Sequence, residues 1–314
     1  MAANPQPGPG YTSEMSLAER NAWRPWTWAA PAFSALILIG LLVAWNGGGV
    51  ASTARWSEQQ AVFLAWNADF AAWPSALWWS ATLLGDSTVL LAVLALFLFG
   101  RPRAWAAALA SVPAGGLMSA AVKHWAGVPR PAAVLDQALF NVIGPALHSN
   151  SFPSGHTISA YAAAAAVLAT CAARPKHGRD WAVIVCGLLL ATVVALSRVA
   201  VGAHWPLDLA AGAAIGWLAG LSGAALARYS GWWHWLFFGP GRPAVAFGLM
   251  LWGLLLWLRP HETPACAMVL GAAGACAIGA GIKLLMATPL RCDLPMSATL
   301  EPGRRVARDL RDRP

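Results

Sequence analysis

Eight apolar runs dominate this chain, at roughly residues 27–45, 76–99, 104–123, 156–172, 182–198, 206–227, 243–258 and 265–287. Crossing the hydrocarbon of a bilayer takes about 17–25 apolar residues, and a backbone in lipid must satisfy its own hydrogen bonds. Such runs therefore fold as helices packed on one another, and the fold class they predict is all-α, a polytopic membrane helix bundle. Composition agrees: 58% of residues are hydrophobic and 11% charged, against about 25% charged in soluble domains. Several of the nineteen tryptophans, among them Trp26, Trp28, Trp78, Trp79, Trp181, Trp205, Trp232, Trp233 and Trp235, fall near run ends, where an interfacial belt is expected. The segment Gln60 to Phe70 is expected on the outer surface.

The flanks read differently. Residues 1–25, with Pro5, Pro7, Gly8, Pro9 and Gly10, form a disordered cytoplasmic lead without a signal-peptide pattern. Residues 291–314 form a basic cytoplasmic tail, whose arginines suit either solvent or anionic headgroups. Of the twenty-one Lys and Arg, all but Arg55, Lys123, Arg130, Arg198 and Arg259 fall on the side of the N-terminus when the runs are threaded through a membrane. Cytoplasmic loops collect such cations, so both termini are expected in the cytoplasm. The formal charge of +8 is thereby explained by topology, and its spread over short loops argues against nucleic acid as a partner. The five cysteines, Cys171, Cys186, Cys266, Cys276 and Cys292, form no outer pair, which argues against a disulfide framework. No His/Cys spacing suits zinc, and the outward acidic residues form no cluster for Mg²⁺, so a chemistry without metal or cofactor is expected.

Against this apolar background, three polar clusters stand out. They are Lys123 with Arg130-Pro131, Pro153-Ser154-Gly155-His156, and Ser197-Arg198 with His204 and Asp208. Ionisable groups at the ends of membrane helices are costly and mark function. The threading puts all three on the outer side, at the end of the third run, the start of the fourth and the turn between the fifth and sixth. Arg130 and Arg198 offer planar forks to phosphate oxygens and Lys123 a compact charge. Ser154 and Gly155 open a helix, where free N–H groups and the dipole favour an anion. Asp208, four residues after His204 and just past Pro206, can hold one ring nitrogen and leave the other aimed at phosphorus. His204 is thus the expected nucleophile, and His156, with no carboxylate at helical spacing, the expected general acid.

The order and spacing resemble the signature of the type 2 phosphatidic acid phosphatase (PAP2) superfamily: Lys, six residues, Arg-Pro; Pro-Ser-Gly-His; Ser-Arg, five residues, His, three residues, Asp. Every specified position is filled here. The resemblance implies a six-helix core, outside which the last two runs stand as two additional C-terminal spans, and it implies a phosphohistidine formed on His204, a proton given by His156, Asp208 as orienter, and Lys123, Arg130, Ser154, Gly155 and Arg198 around the phosphate. Residues 26–228 are read as that core, its motifs within 123–208, and 229–290 as the two further helices. The implied activity is a membrane lipid phosphatase acting on a lipid phosphomonoester or diphosphate at the outer face, of the polyprenyl diphosphate, phosphatidylglycerophosphate, phosphatidic acid or lipid A type; high Ala, Trp and Arg usage and the lack of glycosylation signals suit a bacterial inner membrane. A phosphotransferase using the same intermediate is the alternative; a transporter or scaffold would not need the intact set, and a soluble haloperoxidase would not need the spans.

Two further features complete the reading. Gly212, Gly216 and Gly220 make a small-residue ridge suited to close packing within the bundle, with dimerisation as the rival use. Gly85-Asp86 looks like a helix start inside the second run and receives no role.

Overall fold

The computed structural model describes residues 34, 53–171, 178–260 and 263–286. The lead, the first apolar run apart from Ser34, and the tail lie outside them. Among the described residues every regular element is helical: α1 Thr53–Phe70, α2 Ser75–Leu83, α3 Ser87–Leu94, α4 Pro102–Ala126, α5 Pro131–Val134, α6 Gly155–Cys171, α7 Gly178–Ala200, α8 Pro206–Tyr229, α9 Trp232–Phe237, α10 Arg242–Trp257 and α11 Pro264–Met286.

Each of the seven expected spans within the described residues is helical, but fewer qualify as full crossings. Four helices are long and apolar enough, and a fifth if α2 and α3 are taken as one span. That pair bends by 76° because the chain restarts a helix at Asp86, whose carboxylate accepts the Thr88 N–H at 2.9 Å and Thr88 Oγ1 at 2.7 Å, an N-cap. Helices α6 and α10 have 17 and 16 residues. At 1.5 Å per residue they reach about 24–26 Å, somewhat less than the ~30 Å of hydrocarbon.

Helix α8 lies at the centre, packed on α4 and α6. Its glycines explain how closely. A Cβ on Gly212 would lie 2.8 Å from the Ser154 carbonyl oxygen, on Gly216 2.5 Å from that of Ile158, and on Gly220 2.3 Å from that of Ala162. The ridge therefore serves internal packing, backbone against backbone along α6. Helices α10 and α11 form a C-terminal hairpin with similar intimacy at Gly253 and Gly274. Leu256, Leu270, Ala273 and Ala277 of the hairpin bury Val89 and Ala92 of α3.

One surface expectation changes. Trp205 is fully buried and Trp78 nearly so, because each indole finds a carbonyl inside: Trp205 Nε1 donates to Pro129 at 2.9 Å and Trp78 Nε1 to Phe70 at 2.8 Å. Trp181 and Trp235 remain more than half exposed, as a belt requires. Helix α1 lies at the surface, with Val62, Trp66 and Asp69 exposed, and buries one face. Its Phe63 ring meets Phe140 and Trp205 edge-on at 5.2 Å each. Asn67, 1% exposed, reaches the carbonyls of Asn141, Val199 and Ala200 and accepts the Asn141 N–H at 2.8 Å.

Candidate active site

Helix α7 ends in a tight turn that delivers His204. The N–H groups of Ala203 and His204 both bond the Arg198 carbonyl, at 3.0 and 3.2 Å, while Gly202 takes φ +74° with the Asn141 carbonyl close behind it. A side chain there would meet both a left-handed backbone and a blocked space. Arg198 and His204 are thus fixed to each other through one carbonyl. Trp205 then caps α8, and Pro206 takes its first position, where its missing N–H costs nothing.

Asp208 Oδ2 gathers three donors: Ser151 Oγ at 2.5 Å, the Trp205 N–H at 2.9 Å and His204 Nδ1 at 3.1 Å. His204 and Asp208 are 2% and 1% exposed. The carboxylate fixes the ring with its proton on Nδ1, which leaves the Nε2 lone pair outward. Arg130 Nη1 faces that lone pair at 3.1 Å, and is itself held by the Ala203 carbonyl at 3.0 Å while its Nε bonds Ser149 at 2.8 Å. Burial first, then the cations of Arg130 and Arg198, hold the His204 imidazole well below its usual range, with His156 and Lys123 adding to it. The groups from all three clusters therefore act on one ring, which is held neutral.

Arg198 is 5% exposed. Its Nη1 donates to Thr82 Oγ1 on α2, and its Nε has no partner. A buried guanidinium left partly unsatisfied is costly unless something anionic joins it. Lys123 sits in the last turn of α4, half-buried, before the left-handed cap at Gly127.

Ser154 is fully buried and spliced between two helices. Its N–H donates to the Asp208 carbonyl at 3.1 Å, and its hydroxyl accepts from Thr157 Oγ1 at 3.0 Å and from the Thr157 N–H at 3.5 Å. The donors left open at this helix start are the N–H groups of Gly155 and His156, which as first-turn residues have no carbonyl within α6. A cavity of about 350 Å³ touches Gly155 and His156 but does not reach His204. In its wall, Asp86 carries an ion pair from Arg259 of the C-terminal hairpin at 2.7 Å.

Every site residue expected from the sequence thus lies at one end of the bundle. Ser151, Thr82 and Asn67 were not foreseen. Only Ser151 carried a signal, as a polar residue two positions before the Pro153 cluster. Among the described residues, no group of three or more His, Cys, Asp or Glu is placed to hold a metal ion.

The fold and site define an integral membrane helical protein with a buried histidine–carboxylate pair beneath a crown of cations. Residues 103–235 match the model of the PAP2 superfamily. No curated protein matches the sequence. Two solved structures are similar to it. LpxE of Aquifex aeolicus is 26% identical, with a TM-score of 0.44, covering 53% of this chain and 94% of its own. A transmembrane PAP2-type phosphatidylglycerolphosphate phosphatase from Bacillus subtilis is 19% identical, with a TM-score of 0.46, covering 63% and 96%.

Proposed function

We propose that this protein is a phosphoric ester hydrolase acting on a lipid phosphate at the outer face of a bacterial inner membrane, through a phosphohistidine on His204. The observation that carries the reading is the His204–Asp208 pair, whose geometry frees Nε2 within a ring of cations. In the resting site Arg130 occupies the lone pair that would attack. An arriving phosphate draws that guanidinium onto its own oxygens and uncovers Nε2.

Nε2 then forms the N–P bond as the P–O bond to the lipid breaks. His156, on the Gly155 side, gives its proton to the departing oxygen. Negative charge on the phosphate is what makes His156 take up that proton beforehand. Arg130, Arg198 with its unpartnered Nε, Lys123 and the Gly155 and His156 N–H groups stabilise the charge spread over the equatorial oxygens. Asp208 balances the cation that forms on His204, and Ser151 and the Trp205 N–H hold Asp208 in place. Water next attacks phosphorus, passes its proton to His156, and releases phosphate with His204 neutral again.

The same reading takes 26–228 as the catalytic core, 229–290 as an added helix pair and 291–314 as a cytoplasmic tail, both termini being cytoplasmic. The distribution of Lys and Arg supports this orientation. Polyprenyl diphosphate, phosphatidylglycerophosphate, phosphatidic acid and phosphorylated lipid A are the candidate substrates. The test is to mix detergent-purified protein with each lipid carrying ³²P in the transferable phosphate and quench in base. An acid-labile, base-stable phosphoenzyme, absent from His204→Ala, is the expected result. Absence of any phosphoenzyme with every lipid tried, or its persistence in His204→Ala, would overturn the reading. Label appearing on a second lipid instead of as inorganic phosphate would make the protein a transferase.

A further inference from the structure

The cavity beside His156 has a shape that the phosphoryl chemistry does not explain. Its walls come from three helices and from Gly85 and Asp86 at the break between α2 and α3, and on each helix the lining residues run in step. On α4 they follow one face from Ala108 to Ser119, on α6 one face from Gly155 to Ala163, and on α3 Ser87, Leu90 and Leu91. At 1.5 Å per residue the α6 wall is about 12 Å long and the α4 wall about 16 Å, close to the ~15 Å depth of one leaflet. The end at Gly155 and His156 is polar, and Asp86, Ser87 and Ser119 line the slot as well. The other end closes on Leu91 and Ala108, which belong to the main core cluster.

The slot is also open sideways. Val112 is 40% exposed, and Gly116 is exposed with nothing within 4 Å of where its Cβ would stand. Two hydroxyls in the wall are turned back on their own helices: Ser111 Oγ donates to the Ala108 carbonyl at 2.7 Å, and Ser159 Oγ to that of Gly155 at 3.2 Å. They present little polarity to the slot, whose remaining deep surface is Ala, Gly, Leu, Ile and Val.

The geometry points to this slot as the seat of one hydrocarbon chain of the substrate, the chain borne by the oxygen that His156 protonates. The inference rests on the proposed function, since it assigns the leaving group to the His156 side, and it names the substrate's second determinant. Phosphate lies over His204, the leaving oxygen at His156, and the chain descends between α3, α4 and α6 after sliding in past Gly116. Hydrocarbon leaving a bilayer for this slot gains nothing from dehydration, so the slot selects by fit. Length and branching of one chain are what it measures. The occupant is an isoprenoid or an acyl chain, the same chemistry from two kinds of lipid.

Gly116→Phe places a ring at the lateral opening without a backbone or side-chain obstacle, while Gly248→Phe puts the same ring on an exposed stretch of α10 with equally open surroundings. Full-length protein in nanodiscs would be assayed on long- and short-chain members of two series, polyprenyl phosphates and diacyl phosphatidic acids. The expected result is that Gly116→Phe lowers the long-to-short ratio of kcat/KM by about tenfold or more, the scale of a misfit in a close pocket. The fall should occur in the series whose chain the slot holds, with Gly248→Phe leaving the ratio unmoved. A ratio unchanged in both series, or shifted equally by Gly248→Phe, would overturn the inference. Binding is read separately from turnover in His204→Ala, using lipid phosphates of both series with a diazirine at the chain end. Crosslinks within 108–119 or 155–163, competed by the unlabelled lipid, are expected; crosslinks elsewhere only would overturn the slot even where turnover is intact. Wild-type protein that turns over no member of either series would instead count against the proposed function, with the crosslink still deciding the slot.

Discussion

Replacing Asp208 with Asn tests the histidine–carboxylate pair most sharply, because the surroundings dictate how the amide must sit. The position of Oδ2 receives donors from Ser151 at 2.5 Å, from the Trp205 N–H at 2.9 Å and from His204 Nδ1 at 3.1 Å. The Trp205 N–H is backbone at a helix start and cannot turn away. An Asn side chain therefore places its carbonyl oxygen there, and His204 keeps its proton on Nδ1 with Nε2 free. What is lost is charge, not tautomer. A hydrogen bond to a charged group contributes about 1.5–3 kcal/mol against about 0.5–1.5 for a neutral one. The difference, roughly 1–2 kcal/mol in the step where His204 becomes cationic, corresponds to a slowing of about 5- to 30-fold. Asp208→Ala removes the acceptor altogether and strands buried donors costing about 1–3 kcal/mol each, so it should slow the step by roughly a thousandfold and lower the melting midpoint. The assay is single-turnover formation of phosphoenzyme by rapid quench in detergent. An Asp208→Asn rate as low as that of Asp208→Ala would mean that the ring has flipped its proton, and would refute the claim that Trp205 and Ser151 fix the acceptor.

Three other expectations follow from the geometry. His204 is held neutral by burial and by the Arg130 and Arg198 cations, so its folded pKa lies below the unfolded one, the unfolded chain takes up the proton first, and stability falls as pH drops below about 6.5. The melting midpoint should therefore decline from pH 7 to 5, less so in His204→Asn; an equal decline in both would contradict this. Gly220→Ala sets a Cβ 2.3 Å from the Ala162 carbonyl oxygen and should cost about 1–3 kcal/mol by overpacking, read as a lower melting midpoint, whereas an unchanged midpoint would show that α6 and α8 separate freely. His156→Ala should slow phosphoenzyme formation from an alkyl lipid phosphate by about 10²–10⁴-fold but far less from an aryl phosphate whose leaving group needs no proton. Equal losses on both substrates would remove His156 from the acid role.

The histidines, arginines and Asp208 could be read from the sequence because each is polar in an apolar chain and because short spacings fix their mutual positions. The four-residue step from His204 to Asp208 and the place of Ser154-Gly155-His156 at a helix start are local facts. Ser151, Asn67 and Thr82 were not legible in the same way, since their partners lie 57, 132 and 116 residues away and meet only when α1, α2, α7 and α8 pack. The break at Asp86 was hidden for a different reason: apolar residues continue on both sides of it, and hydropathy does not register a cap. Trp205 misled because an indole beside a span end reads as an interfacial anchor, while here its N–H is satisfied by Pro129 inside the fold.

The bond from the Ser154 N–H to the Asp208 carbonyl, backed by Gly212 against the Ser154 carbonyl, joins the start of α6, where His156 stands, to the start of α8, just after His204, without any side chain between them. It works as a caliper of one setting. The placing of His156 relative to His204 is therefore set by backbone contacts and not by the side chains around them. On the proposed function, diversity of substrate has to arise farther along the walls, so that drift in lipid preference can proceed while the jaws stay closed to change.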